Sequence, residues 1–172
     1  MQTLTRIISQ LPDEVQQDLA ESPVNDFGFL SAKSDDIDDP FAEISMLGRI
    51  SVEEALEAHG RWTDKASCLG GLLATCTAFE KRIAHHRRLR MAEIRGGLRA
   101  GLKDVSSSQL EDALAIHPDL MPFDSALLSF AEVRAGLARQ QERFRTAADA
   151  ASRAITAKGI DAQMMKLEVR RG

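Results

Sequence analysis

The sequence contains no tyrosine and a single tryptophan, Trp62, beside seven phenylalanines. So few aromatic faces argue against a surface that reads nucleobases by stacking. There are only two cysteines, Cys68 and Cys76, and they lack CxxC spacing. On one helix they would stand about 12 Å apart along the axis, too far for a disulfide. Both are expected to be small core residues in a reducing compartment. No stretch approaches the roughly 20 apolar residues that cross a bilayer. The opening MQTLTRIISQLPDEV lacks the apolar core of a signal peptide. These absences point to a soluble, cytoplasmic protein with no membrane contact.

Catalytic signatures are missing too. No Walker loop, GxGxxG turn or GxSxG elbow occurs. Of the four histidines, His85 and His86 are adjacent, and on a helix they point about 100° apart, unlike a chelating i, i+4 pair. Cationic neighbours further oppose a divalent metal there. The acidic run SDDIDDP lacks the glycine and the final glutamate of a calcium loop. No enzymatic activity, cofactor or metal is expected.

What the chain does have is helix-forming composition and an uneven charge. Ala, Leu, Glu and Arg dominate, and β-branched runs are absent. The net charge is −4, yet residues 1–60 hold 13 acids and 3 bases, while residues 61–172 hold 13 acids and 19 bases. An acidic arm on a basic body suggests an interaction tail or an intramolecular mask. The expected organisation is an arm over residues 1–48, partly flexible, and a helical body over 49–172.

The basic charge concentrates in FEKRIAHHRRLRMAEIRGGLRAGLK, residues 79–103. On a helix at about 100° per residue, Lys81, His85, Arg88, Arg95, Arg99 and Lys103 fall within about 80° of arc. Cys76, Ile83, Met91, Ile94, Leu98 and Leu102 fall on roughly the opposite side. One face is therefore apolar and the other cationic, over about 33 Å. Such a face suits the backbone of a polyanion, nucleic acid above all. It also suits an ordinary solvated helix surface.

The rest of the chain reads as follows. Residues 1–21 carry an apolar stripe, Leu4, Ile7, Ile8, Leu11, Val15 and Leu19, on one short helix or a broken pair with Pro12 in a first turn. That stripe either docks on a partner or caps its own core. Residues 22–43 look like a linker holding Phe27, Phe29, Leu30 and Phe41. Ser51-Val52-Glu53-Glu54 is a capping box that opens about fifty helical residues. Gly60, Gly70 and Gly71 leave open whether residues 51–103 are one helix or two. Ser108-x-x-Glu111 reads as a second box before a short helix at 109–116, stopped by His117-Pro118. A long helix is then expected from about 125 to 158, with Asp124 as N-cap and Gly159 as C-cap. Phe130, Leu137, Phe144 and Ala151 recur every seven residues, with Arg134 and Gln141 as polar members of a companion series. Trp62 and Leu69 would face that seam. The fold class is all-α: two long antiparallel helices with a short helical insertion, in a helical-bundle oligomer.

Three stretches, RRLRMAEIRGGLRAGLK, SSSQLEDALAIHPDL and LLSFAEVRAGLARQQERFRTAADAASRAITAKGI, share a layout with a known family. Over about residues 55–165 the chain resembles the UvsY-type recombination mediators of tailed phages. The resemblance implies a self-assembling, non-enzymatic protein that binds single-stranded DNA. It also implies two protein partners, a RecA-like recombinase and single-strand-binding protein. It carries DNA contact to the matching basic segment, chiefly Arg88, Arg90, Arg95, Arg99 and Lys103, with Lys81 added by its place on the cationic face. The series Phe130, Leu137 and Phe144, with Trp62 and Leu69 opposite, becomes core or subunit interface. The alternative is an oligomeric structural or adaptor protein of a phage particle or secretion-type assembly, whose basic face meets an acidic protein.

Overall fold

The computed structural model describes residues 4–21, 40, 44–101 and 106–169. Among the described residues there are five helices and no strand: α1 (Leu4–Ile8), α2 (Asp13–Ala20), α3 (Val52–Gly101), α4 (Ser107–Ala115) and α5 (Met121–Val169). The linker aromatics Phe27, Phe29, Leu30 and Phe41, and Leu102 and Lys103 of the basic stretch, lie outside the described residues. Val52–Gly101 is one helix. Ser51 opens it as expected: its hydroxyl accepts from the Glu54 N–H at 3.1 Å, and its own N–H donates to the Glu54 carboxylate at 2.6 Å. The Ser51 N–H first, and then the Ser51 hydroxyl, hold the Glu54 carboxyl below its ordinary value. The cap is in place at neutral pH and is lost as acid titrates Glu54.

The chain divides into two units, each using half of both long helices. Unit 1 comprises Met1–Asp35 and Ala74–Ala135; unit 2 comprises Asp36–Leu73 and Gly136–Gly172. In each unit α3 and α5 pack antiparallel. In unit 2, Lys158 reaches the Ile50 carbonyl and Gln141 the Ala66 carbonyl. In unit 1, Glu80 pairs with Arg134 and Arg87 with Asp124.

The core of unit 2 is the expected seam. Ala55, Ala58, Trp62, Ala66 and Leu69 of α3 are buried with Phe144, Ala147, Ala148 and Ala151 of α5, under Leu47. Leu137 is partly buried against them. In unit 1 the same seven-residue series continues through Cys76 and Ile83 on α3 and Phe123 and Phe130 on α5, all buried. Phe79 and Phe130 stack with ring centroids 6.2 Å apart. The N-terminal stripe resolves in favour of an internal cap, because Ile7, Leu11, Val15 and Leu19 are buried within unit 1.

Several expected details are corrected. Cys68 is exposed, not core. It stands one residue before seam position Leu69, and so about 100° off the buried stripe. The second capping box is built by Ser106 and Gln109, not Ser108 and Glu111, since Glu111 turns instead to Arg95. Asp124 sits inside the first turn of α5, where it pairs with Arg87. Pro122 suits that first turn, where its missing N–H costs nothing. Gly159 is internal to α5, which runs on to Val169. A glycine costs a helix only about 1 kcal/mol, and no proline follows to stop it.

One glycine is required by packing. A Cβ on Gly70 would stand 2.7 Å from Gln141 Nε2, while a Cβ on Gly71 would meet nothing within 4 Å. Gly71→Ala should therefore stabilise the protein by about 0.5–1 kcal/mol. Gly70→Ala must displace the Gln141 amide from the Ala66 carbonyl, forfeiting about 0.5–1.5 kcal/mol, so its urea midpoint should show no such rise. Equal rises for both variants would show that the amide does not seat there.

Candidate nucleic-acid interface

Within unit 1, α3 presents its apolar side inward. Cys76, Phe79 and Ile83 are buried, and Met91, Ile94 and Leu98 are half-buried. Packing of that side fixes the rotation of the helix and hence the direction of its charges. Lys81, His85, Arg88 and Arg99 come out exposed. Lys81 and Arg99 are eighteen residues apart, five full turns, so they share one azimuth at a separation of about 27 Å. Arg88 lies about 20° from that line. Neither Lys81 nor Arg99 has an acidic partner among the described residues. The Arg88 guanidinium donates only to its own helix, at the Ala84 carbonyl, 3.2 Å away.

The remaining cations carry carboxylates from elsewhere in the unit. Arg82 donates to the Asp18 carbonyl at 2.9 Å and lies 3.7 Å from its carboxylate, which also meets His86 at 3.1 Å. Arg87 grips Asp124 with two bonds, of 2.6 and 3.2 Å. Arg90 meets Glu93 at 3.0 Å and Asp119 at 2.5 Å. Hydrogen bonds to those two carboxylates raise its pKa above the ordinary arginine value. Arg95 meets Glu111 at 2.5 Å, and its Nε is buried without a hydrogen-bond partner.

Of the six expected contact residues, Lys81, Arg88 and Arg99 therefore form a bare row. Arg90 is about 180° round the helix from that row, facing Asp119. Arg95 lies about 40° from the row and is turned to α4. Lys103 is outside the described residues. The acids that hold these arginines were not singled out by sequence reasoning, and Asp18 of α2 meets Arg82 and His86, which lie off the row. Unit 1 as a whole has fourteen acids against eleven bases. The cationic row is thus a local feature, effective at contact range within about one Debye length.

The Cys76 thiol is pushed up to about 11, first by burial and then by the neighbouring Glu80 carboxylate. Arg134 Nε stands 3.2 Å from Glu80 Oε1 as an ion pair, off line for a hydrogen bond. Among the described residues no three His, Cys, Asp or Glu side chains gather to hold a metal, and no helix is long and apolar enough to cross a membrane. No protein family, no curated protein and no solved structure matches this chain.

A thiol held near 11 is protonated and unreactive at neutral pH. Iodoacetamide at pH 7.5 should alkylate Cys68 in the native protein and reach Cys76 only after unfolding. Mass spectrometry showing equal labelling of both in the native state would contradict the buried placement of Cys76.

Proposed function

We propose that this chain is a non-enzymatic mediator of recombination that binds single-stranded DNA along α3. The observation that carries the reading is the bare row Lys81, Arg88 and Arg99 on one face of an unbroken helix. The row has the length of several nucleotides and no aromatic side chain within it. It therefore grips phosphates and leaves the bases unread, with weak sequence preference. In the UvsY-type role, such a protein self-assembles in the host cytoplasm. It helps a RecA-like recombinase onto DNA covered by single-strand-binding protein. Several short tracks in one oligomer add through avidity.

A second reading is favoured by the ion pairs just described. Arg82, Arg87, Arg90 and Arg95 all pair with protein carboxylates, so the cations of α3 also suit an acidic protein. The chain would then be a structural or adaptor component of an oligomeric helical assembly.

Fluorescence anisotropy with labelled single-stranded and duplex oligonucleotides, across a salt titration, separates the two. Mediator binding favours single strands and weakens steeply with salt. Replacing Lys81, Arg88 and Arg99 together by Ala should lower the slope of log K against log salt by about 2, at about 0.7 per phosphate contact. An unchanged slope removes this face from the contact. No binding at low salt leaves the acidic-protein reading.

A further inference from the structure

Among the described residues, Arg95 is the one member of the cationic face paired with a carboxylate. Its azimuth lies within about 40° of Lys81 and Arg99, yet its Nη2 donates to Glu111 of α4 at 2.5 Å. Two features make this contact exchangeable. Glu111 is 62% exposed, so it leaves for water without unpacking anything. Arg95 Nε meanwhile is buried and lacks a partner, so the closed position leaves one donor unsatisfied. A buried unpaired N–H is unfavourable, and a phosphate can take two guanidinium donors at once. Meanwhile α4 itself is firmly seated. Leu110 and Leu114 are buried, and the Ser106–Gln109 box closes its start. The carboxylate is therefore presented at a fixed place beside the row.

We infer that Glu111 is a built-in competitor for phosphate: it holds Arg95 off the row, so that the wild-type row meets a polyanion without it. This rests on the nucleic-acid reading of α3 and adds its regulation. A guanidinium paired with its own carboxylate neutralises no phosphate and so releases none of the cations condensed on the nucleic acid. It adds nothing to the salt dependence until the carboxylate is released. The wild-type slope is then set by the bare row, and Arg95 is a reserve contact.

The test is a double-mutant cycle read by anisotropy with labelled oligo-dT. Glu111→Gln should raise affinity about fivefold at 0.1 M salt and steepen the slope by about 0.7, the effect of one added phosphate contact. Asp112→Asn changes the net charge equally on the same helix and should do much less, because Asp112 faces no arginine of the row. In an Arg95→Gln background the gain from Glu111→Gln should vanish. Circular dichroism of each variant checks that the helices are kept. Equal gains from Glu111→Gln and Asp112→Asn would reduce the effect to general charge and overturn the proposal. A gain that survives Arg95→Gln would overturn it as well. Wild-type binding that Glu111→Gln leaves unchanged sinks the competitor alone. Failure of wild type and Glu111→Gln alike to bind at low salt sinks the nucleic-acid reading with it.

Discussion

Burial of a seven-residue apolar series on the two long helices sets the direction of every other side chain. Ala55, Trp62, Leu69, Cys76 and Ile83 on α3 recur at that spacing, as do Phe123, Phe130, Leu137, Phe144 and Ala151 on α5. Each fully buried Phe or Leu contributes about 1.5–3 kcal/mol relative to exposure. Rotating either helix would expose the whole series at once, so its phase is strongly held. Once α3 is fixed in unit 1, the azimuths of Lys81, Arg88 and Arg99 follow without any interaction of their own. The cationic row is a by-product of core packing, which fixes the side of the helix it occupies.

The electrostatics of unit 1 act on top of this geometry. Four of the arginines on α3, Arg82, Arg87, Arg90 and Arg95, are neutralised by acids from α2, α3 itself, α4, the turn after α4 and the start of α5. Exposed pairs of this kind contribute little to stability, about 0–1 kcal/mol each. Their larger effect is to confine positive charge to a narrow strip of one helix face. A protein with more acids than bases in this unit can still hold an anion there, provided the anion is a chain that touches several residues in turn.

Periodic and local features were legible from the residues alone. The Ser51–Glu54 box, the seam with Phe130 and Phe144, and the shared azimuth of Lys81, Arg88 and Arg99 all follow from spacing along one helix. Cys68 was expected in the core and is exposed; its offset from the series through Trp62, Leu69 and Cys76 is the signal that places it outside. Helix ends were less so. Three consecutive serines offered equivalent caps, and Gly159 stops a helix only where the chain must turn. The ion pairs were hidden for a different reason. Arg95 and Glu111 are 16 residues apart, and His86 and Asp18 are 68 apart. No periodicity connects residues across intervening turns, so only the packed structure shows which acid meets which base.

The Gln141 amide over Gly70 has a consequence for how unit 2 is assembled. A seam that repeats every seven residues is indifferent to a slide of one repeat, because large apolar groups again meet large apolar groups. Such a slide would put Thr63 or Thr77 where Gly70 stands. Either would bring a branched side chain into the space the amide occupies, and Gln141 would lose its carbonyl. Gly70 and Gln141 therefore serve as an index mark, which counts the repeats and selects one alignment from several of nearly equal hydrophobic content.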